Sequence, residues 1–344
     1  MPSERTLTIA IPTYNRAASL DGQLGRLSAQ VDASVEVLVS DNASGDNTAE
    51  VVKKYQGKIP GLVYSRNAEN VGFDRNIIKL YSVASGRHIW FLSDDDPILS
   101  GALEKVRPLI SAYDPTVAVL GAAASPDDAA GWRGGRERVE VFGGLGEVPD
   151  YSFFTRAIFL SGLLVRKDPG VDAQLLEGYA GSNFVQLSLA LILLSRRFKF
   201  CLAQDLSAVC REPGYVTRVE IAGLWFCGPA GAMALPGYGY DPVKTRNCTG
   251  RLWPFAQFLL AAKLGMYRMN PAMGPDTARR FRALLGYRRL LSVKAMLALY
   301  RAAPAWPFKG LYWVFCALKY GPGSGTEMFK RKTRQALSTK ASGF

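Results

Sequence analysis

Three aspartates stand side by side at Asp94, Asp95 and Asp96. Neighbouring carboxylates repel one another, and such a run costs stability unless a cation neutralises it. An all-oxygen donor set suits Mg²⁺ or Mn²⁺. One or two carboxylates with other positions open suit a metal shared with a diphosphate better than a closed protein cage. A plainer reading stands beside this one: an aspartate before a helix over 99–110 would favour the positive helix end, though one aspartate would serve. Three more polar clusters precede the triplet: Pro12-Thr13-Tyr14-Asn15-Arg16, a run from Ser40 to Thr48, and a run from Asn67 to Asn76. The chain has no G-x-x-x-x-G-K-[ST] motif, so a P-loop does not hold the phosphates. Gly144-Leu145-Gly146 is wrongly placed for a dinucleotide fingerprint.

Each polar cluster follows a predicted strand. Apolar runs at 7–11, 35–39, 62–64, 88–92 and 117–120 alternate with helical spacing at 17–30, 46–55, 73–84 and 102–110. Strand–helix repeats joined by short loops imply parallel strands in a doubly wound α/β sheet. Right-handed crossovers then bring the strands' carboxyl ends to one rim, where ligands bind. Pro12 is expected to end the first strand. The pattern lapses over 122–150, a loop-rich stretch, and returns with 153–165, a buried helix at 184–194 and a strand at 199–202.

Composition narrows the function classes. The 344 residues are 48% hydrophobic and 21% charged, a globular balance with room for about two domains. The five cysteines are odd in number and form no C-x-x-C, which excludes a disulfide scaffold and a thiolate zinc site. His88 is the only histidine, which excludes most histidine-dependent hydrolases and metal centres. The N-terminus has no signal-peptide pattern, and no stretch reaches the ~18 apolar residues of a membrane span. The net charge of +13 is uneven: from Val243 to Phe344 there are 19 Lys+Arg against 2 Asp+Glu. A mildly acidic body therefore carries a strongly basic tail, which points to a polyanionic surface.

The wording IPTYNR, SDNASGDNT, NVGFDRN and FLSDDDP, in that order over residues 5–125, resembles the family 2 nucleotide-sugar glycosyltransferases of GT-A fold, and within them the bacterial O-antigen branch that includes abequosyltransferase-like enzymes. The resemblance implies a Rossmann-like, mostly parallel central sheet with flanking helices; composition adds a helical basic C-terminal region after it. It implies a GT-A domain over 1–214, divided into a nucleotide-sugar half (1–125) and an acceptor half (126–214), and the basic, aromatic-rich composition of 215–344 adds a membrane-associating region. Carried over by position, Pro12, Thr13, Tyr14, Asn15 and Arg16 line the nucleotide pocket and Asp41 meets the base. Asn70, Gly72, Arg75 and Asn76 border nucleotide and sugar. Asp94 and Asp96, or Asp95 in the other register, bind ribose and a Mn²⁺ or Mg²⁺ cofactor.

The sequence also departs from that pattern. Asn42 and Ala43 replace a common Asp-Gly, and Ser93 stands where many relatives have the first aspartate. The usual Glu-Asp base pair is missing near Gly181-Ser182-Asn183, and there is no Q-x-x-R-W of a processive synthase. The implied reaction is inverting sugar transfer to a lipid-linked, polyprenyl-diphosphate acceptor. Its base must lie near the acceptor hydroxyl, and Glu177 is the first candidate, with Asp172 and Asp168 behind it. Trp306, Phe308, Tyr312 and Trp313 among lysines and arginines suit an anionic inner-leaflet surface, so the expected location is peripheral, on the cytoplasmic face of the inner membrane. A nucleotidyltransferase is a rival reading, but PTYNR is not its Gly-rich, basic loop. A non-catalytic nucleotide-sugar-fold protein whose tail grips nucleic acid is another, disfavoured by the absence of nucleic-acid-binding signatures.

Overall fold

The computed structural model describes residues 5–123, 138–144, 147–148, 159–180 and 185–210. The expected basic tail, most of the 122–150 loop, residues 153–158 and the Gly181-Ser182-Asn183 position lie outside the described residues. Over residues 7–123 strands and helices alternate: β1 (Leu7–Thr13), α1 (Ala17–Ser28), β2 (Val35–Asp41), α2 (Thr48–Tyr55), β3 (Leu62–Arg66), α3 (Phe73–Val83), β4 (His88–Phe91), α4 (Ala102–Tyr113) and β5 (Val117–Ala123). Then come β6 (Glu140–Phe142), a 3₁₀ turn (Leu160–Gly162), β7 (Leu163–Arg166), α5 (Ala173–Glu177), α6 (Val185–Arg196) and β8 (Phe200–Cys210).

The eight strands form one sheet in the order β3-β2-β1-β4-β7-β5-β8-β6. β3, β2, β1 and β4 pair in parallel, as do β5 and β8, while β7 and β6 run against their neighbours. The mostly parallel sheet is thus interrupted by two reversed strands. β1, β2 and β4 are buried along their whole length, as strands covered on both faces must be. Helix α1 covers one face with Leu20, Leu24 and Leu27, which meet Ile9, Ile11, Val37, Val39 and Trp90 in the core. On α3, Ile77, Ile78, Leu80 and Tyr81 are buried.

Two expectations about extent are corrected. β1 does not stop at Pro12 but runs on through Thr13. Beyond the last β1–β4 pair, Ala10 with Phe91, Leu92 N still donates to Ala10 O at 3.0 Å; Pro12, with no N–H to give, ends the pairing with β4 while the pairing with β2 runs on through Thr13. The last described strand, placed at 199–202 by its apolar run, continues to Cys210. Gln204 and Asp205 break the apolar pattern, but partners beyond them hold the strand: Leu99 N donates to Ala208 O at 3.0 Å and Cys210 N to Pro97 O at 2.8 Å. These bonds tie the far end of the acidic loop to β8.

Candidate active site

The carboxyl ends of β1, β2 and β4 meet at the acidic loop. Asp94 is nearly buried, its side chain only 4% exposed. Its Oδ2 accepts a hydrogen bond from Thr13 Oγ1 at 2.7 Å and its Oδ1 from Arg16 Nη1 at 3.4 Å. Burial pushes its carboxyl up to about 7, opposed by the Thr13 hydrogen bond and reinforced by the neighbouring charge of Asp95. Asp95 accepts from Arg16 Nη1 through Oδ2 and from Ser93 Oγ through Oδ1. Asp96 turns the other way: it is buried, and its Oδ2 accepts from Ser161 Oγ at 2.6 Å. The helix that follows has Gly101 at its N-cap, so none of the three aspartates does the capping work of the plainer reading.

The loop is held by residues that the sequence reading passed over. Gln23, buried on α1, donates to Ser93 O at 3.0 Å and Asp96 O at 2.8 Å and accepts from Ile98 N at 3.0 Å. Ser161 accepts from Ser93 N at 2.9 Å, and its carbonyl accepts from Trp90 Nε1 at 2.8 Å. A usable signal existed for Gln23: it is the polar residue on the face formed by Leu20, Leu24 and Leu27. Ser161 gave none.

At the end of β1 the chain turns sharply. Asn15 adopts a left-handed conformation (φ 53°). Its Oδ1 accepts from Gly45 N at 2.7 Å and its own N–H donates to Ser44 Oγ at 2.9 Å, locking the β1 and β2 loops together. Tyr14 is left as an exposed ring, 44% accessible. Asp46 accepts from Ala17 N at 2.9 Å and Thr48 N at 3.2 Å, serving the amino ends of both α1 and α2.

Asp41, at the end of β2, is fully buried. Its Oδ2 accepts from Tyr64 Oη at 2.6 Å and Arg66 Nη1 at 3.0 Å, and its Oδ1 from Ser44 N at 2.8 Å. Tyr64 and Arg66 alternate on one face of β3, a period-two signal that the sequence reading did not use. Asn42 joins the third cluster: its Nδ2 donates to Asn70 Oδ1 at 2.7 Å and its Oδ1 accepts from Asn67 Nδ2 at 2.9 Å and Val71 N at 3.0 Å. Asn42 therefore works as a loop organiser where the resembled pattern carries an aspartate. Gly72 caps α3 with φ 85°, a conformation that favours glycine. Asn76 is buried and bonded to Ser40, with its Oδ1 accepting from Ser40 Oγ at 2.6 Å, so it ties α3 to β2.

The three base candidates are spread along α3. Because β7 runs antiparallel, Arg166 pairs with His88 at the start of β4, and Asp168 follows on the rim opposite the acidic loop. There Asp168 accepts from Arg196 Nε at 3.0 Å, and its own N–H donates to Tyr81 Oη at 3.1 Å. Asp168 is thus corrected out of the site. The chain then climbs back along α3. Asp172 caps α5, accepting from Leu175 N at 2.8 Å. Glu177, at the end of α5, is 46% exposed and accepts from Arg75 Nε at 2.5 Å in the first turn of α3. Of the three, only Glu177 is brought to a residue of the predicted donor site.

The acidic loop supplies only oxygen donors, and Asp94 is buried beside a second carboxylate. A hard divalent cation fits that chemistry. Among the described residues no group of three or more His, Cys, Asp or Glu side chains is arranged to hold a metal on its own. Asp94 and Asp95 can therefore supply only part of a coordination sphere, as in a cation completed by phosphate and water.

Comparisons with known proteins bear on the family and the fold. Residues 8–164 match the model of Glycosyl transferase family 2. Abequosyltransferase RfbV of Salmonella typhimurium is 33% identical over 100 residues, 28% of this chain and 30% of that protein. The GalNAc(5)-diNAcBac-PP-undecaprenol beta-1,3-glucosyltransferase of Campylobacter jejuni is 35% identical over 98 residues, 28% of this chain and 32% of that protein. The chain matches about a third of the length of these relatives. Among solved structures, S. aureus TarS 1–349 aligns with a TM-score of 0.57 at 13% identity, covering 97% of this chain and 93% of that one. The mannosyltransferase PcManGT of Pyrobaculum calidifontis, solved with GDP-Man and Mn²⁺, aligns with a TM-score of 0.53 at 18% identity, covering 97% and 87%. At these identities the likeness shows the fold, a GT-A-like α/β architecture with a mixed central sheet. Residues 8–164 are a family 2 glycosyltransferase domain.

Proposed function

We propose that this protein is an inverting glycosyltransferase that moves a sugar from a nucleotide-diphosphate donor to a hydroxyl of a lipid-linked, polyprenyl-diphosphate saccharide in bacterial surface-polysaccharide or O-antigen synthesis. One observation carries the reading: a desolvated carboxylate pair, Asp94 and Asp95, sits where three parallel strands end, beside Thr13, Arg16 and the exposed ring of Tyr14. In this reading Tyr14 stacks on the base. Asp41, oriented by Tyr64 and Arg66, accepts from a ring N–H, and Asn70 and Gly72 shape the loop beside the donor. Asp94 with Asp95 or Asp96 would hold Mg²⁺ or Mn²⁺. When bound, that cation neutralises charge on the departing diphosphate. The guanidinium of Arg75 meets the same developing charge. Glu177 takes the proton of the acceptor hydroxyl as the new bond forms, and Asp172 fixes the start of the short helix that presents it.

The printed name of the Campylobacter relative, which specifies a PP-undecaprenol-linked saccharide, supports a lipid-linked acceptor. The basic composition of 243–344 supports attachment to the anionic inner leaflet, on the cytoplasmic face of the inner membrane. Among the described residues no helix is long and apolar enough to cross a membrane.

Donor hydrolysis and transfer, assayed across nucleotide sugars with and without Mn²⁺, test the reading. Asp94→Asn should lower the rate at least about a hundredfold, a typical loss for a group acting on transition-state charge. Glu177→Gln should lose transfer yet keep donor binding. Full activity in Asp94→Asn would remove the proposal, and full activity in Glu177→Gln would remove the assigned base.

A further inference from the structure

The carboxylate oxygens of the acidic loop are not all used alike. Asp94 Oδ2 is taken by Thr13 and Asp95 Oδ1 by Ser93, both through uncharged hydroxyls. The other two oxygens, Asp94 Oδ1 and Asp95 Oδ2, converge on a single atom, Nη1 of Arg16. The arginine–carboxylate pairs Arg66 with Asp41 and Arg75 with Glu177 each set one guanidinium nitrogen against one carboxylate. Arg16 Nη1 is set between carboxylates of two residues, the placement a point cation would take.

We infer that Arg16 is a built-in stand-in for the divalent cation: in the donor-free protein its guanidinium holds the cation's place between Asp94 and Asp95, and cation binding requires it to leave. This rests on the proposal that these acids take a metal. The mobilities of the partners fit an exchange. The anions are fixed, with side chains 4% and 10% exposed, whereas the Arg16 side chain is 41% exposed. The backbone next to it is anchored by Asn15, so its departure moves the side chain and not the loop. Arg16 is also the N-cap residue of α1 but makes no side-chain capping bond, so its head group is not needed there. The consequence is an order of events. A cation arriving alone must displace a covalently tethered competitor. A cation arriving with a diphosphate brings an anion that accepts the released guanidinium, so each binds more tightly with the other than alone.

The test is a Mn²⁺ titration of the full-length protein followed by electron paramagnetic resonance, first without nucleotide and then with a nucleoside diphosphate. Without nucleotide, Arg16→Ala should bind Mn²⁺ about tenfold more tightly than the wild type, because one competing unit charge has gone. Arg16→Lys, which keeps a charge but loses the planar head, should fall between them. Adding nucleoside diphosphate should tighten Mn²⁺ binding more in the wild type than in Arg16→Ala. Equal or weaker Mn²⁺ binding by Arg16→Ala without nucleotide overturns the stand-in role. If the wild type nonetheless binds Mn²⁺ and Asp95→Asn does not, the metal reading survives that failure. If no variant binds Mn²⁺ with or without nucleotide, both fall.

Discussion

At the carboxyl end of the strands two carboxylates, Asp94 and Asp95, share one guanidinium. At the amino end three guanidiniums, those of Arg87, Arg166 and Arg197, share the carboxylate of Asp114 at 3.0, 3.4 and 3.1 Å. Both ends carry unbalanced charge, and burial separates them. The side chains of the amino-end arginines are a third to a half exposed, so water reaches much of their charge, although Arg166 Nε and Arg197 Nη1 are themselves buried. Their pairs tie together the residues flanking β4, β7 and β8 and the end of α4. At the carboxyl end Asp94 is desolvated, and its immediate supports apart from Arg16 are uncharged: Thr13, and Ser93 and Gln23 through the loop. Burial works against that charge, and it pushes the Asp94 carboxyl up to about 7.

The sharpest way to break this contrast is to remove the uncharged support. Gln23→Leu keeps the shape of the α1 face but leaves Ser93 O, Asp96 O and Ile98 N without their partner. Three buried backbone groups at about 1–3 kcal/mol each predict a loss of about 4 kcal/mol in urea unfolding. Asp114→Asn, at the solvated end, should cost about 1 kcal/mol or less. A Gln23→Leu loss no larger than that of Asp114→Asn would mean that the two ends are held alike.

The second prediction concerns the buried histidine beneath the basic end. His88 is 1% exposed, with its Nε2 3.2 Å from Pro115 O. Burial lowers its pKa to about 4; Asp114 opposes the shift, and Arg87 and Arg166 add to it. As pH falls below 6.5 the unfolded chain takes up a proton that the folded chain refuses until about pH 4. Stability is therefore full above pH 6.5 and declines through that window, by up to about 3 kcal/mol. Subtracting the pH profile of His88→Asn from that of the wild type should isolate this slope. Parallel profiles would show that His88 ionises in the fold as readily as in water.

What the sequence made legible follows the same division. Strand and helix order over 7–123, and the polar clusters that end each strand, were readable because period and punctuation are local signals. The partners of those clusters were not. Asp41 reads as a base ligand, yet whether its oxygens face Tyr64 and Arg66 depends on the β2–β3 register. Asp168, Asp172 and Glu177 look like one group because they are close in sequence. The reversal of β7 sends the first to the opposite rim, and nothing local in Leu163–Arg166 announces that direction. Asn76 matches a motif yet serves as a buried clamp, since one helical turn separates it from the exposed start of α3.

The smallest expected effect lies in the loop after β2. Ala43 has φ 65°, left-handed and costly for a residue with a β-carbon, at a position where the resembled pattern carries glycine. The fold keeps this turn because Asp41 Oδ1 accepts from Ser44 N and the amide of Asn42 is bonded to the Asn67–Val71 loop. Ala43→Gly should relieve about 1–2 kcal/mol of backbone strain and give back about 0.4–1 kcal/mol through the freer unfolded chain. The net is a stabilisation of about 0.5–1 kcal/mol, measurable as a higher urea midpoint at unchanged slope. A destabilisation would mean that packing of the Ala43 methyl outweighs its torsional cost. Nucleotide-sugar affinity measured on the same variant then sharpens the contrast between the two ends. Unchanged affinity would assign the strain to the turn alone, whereas weaker affinity would make it part of how the carboxyl end is held ready for its ligand.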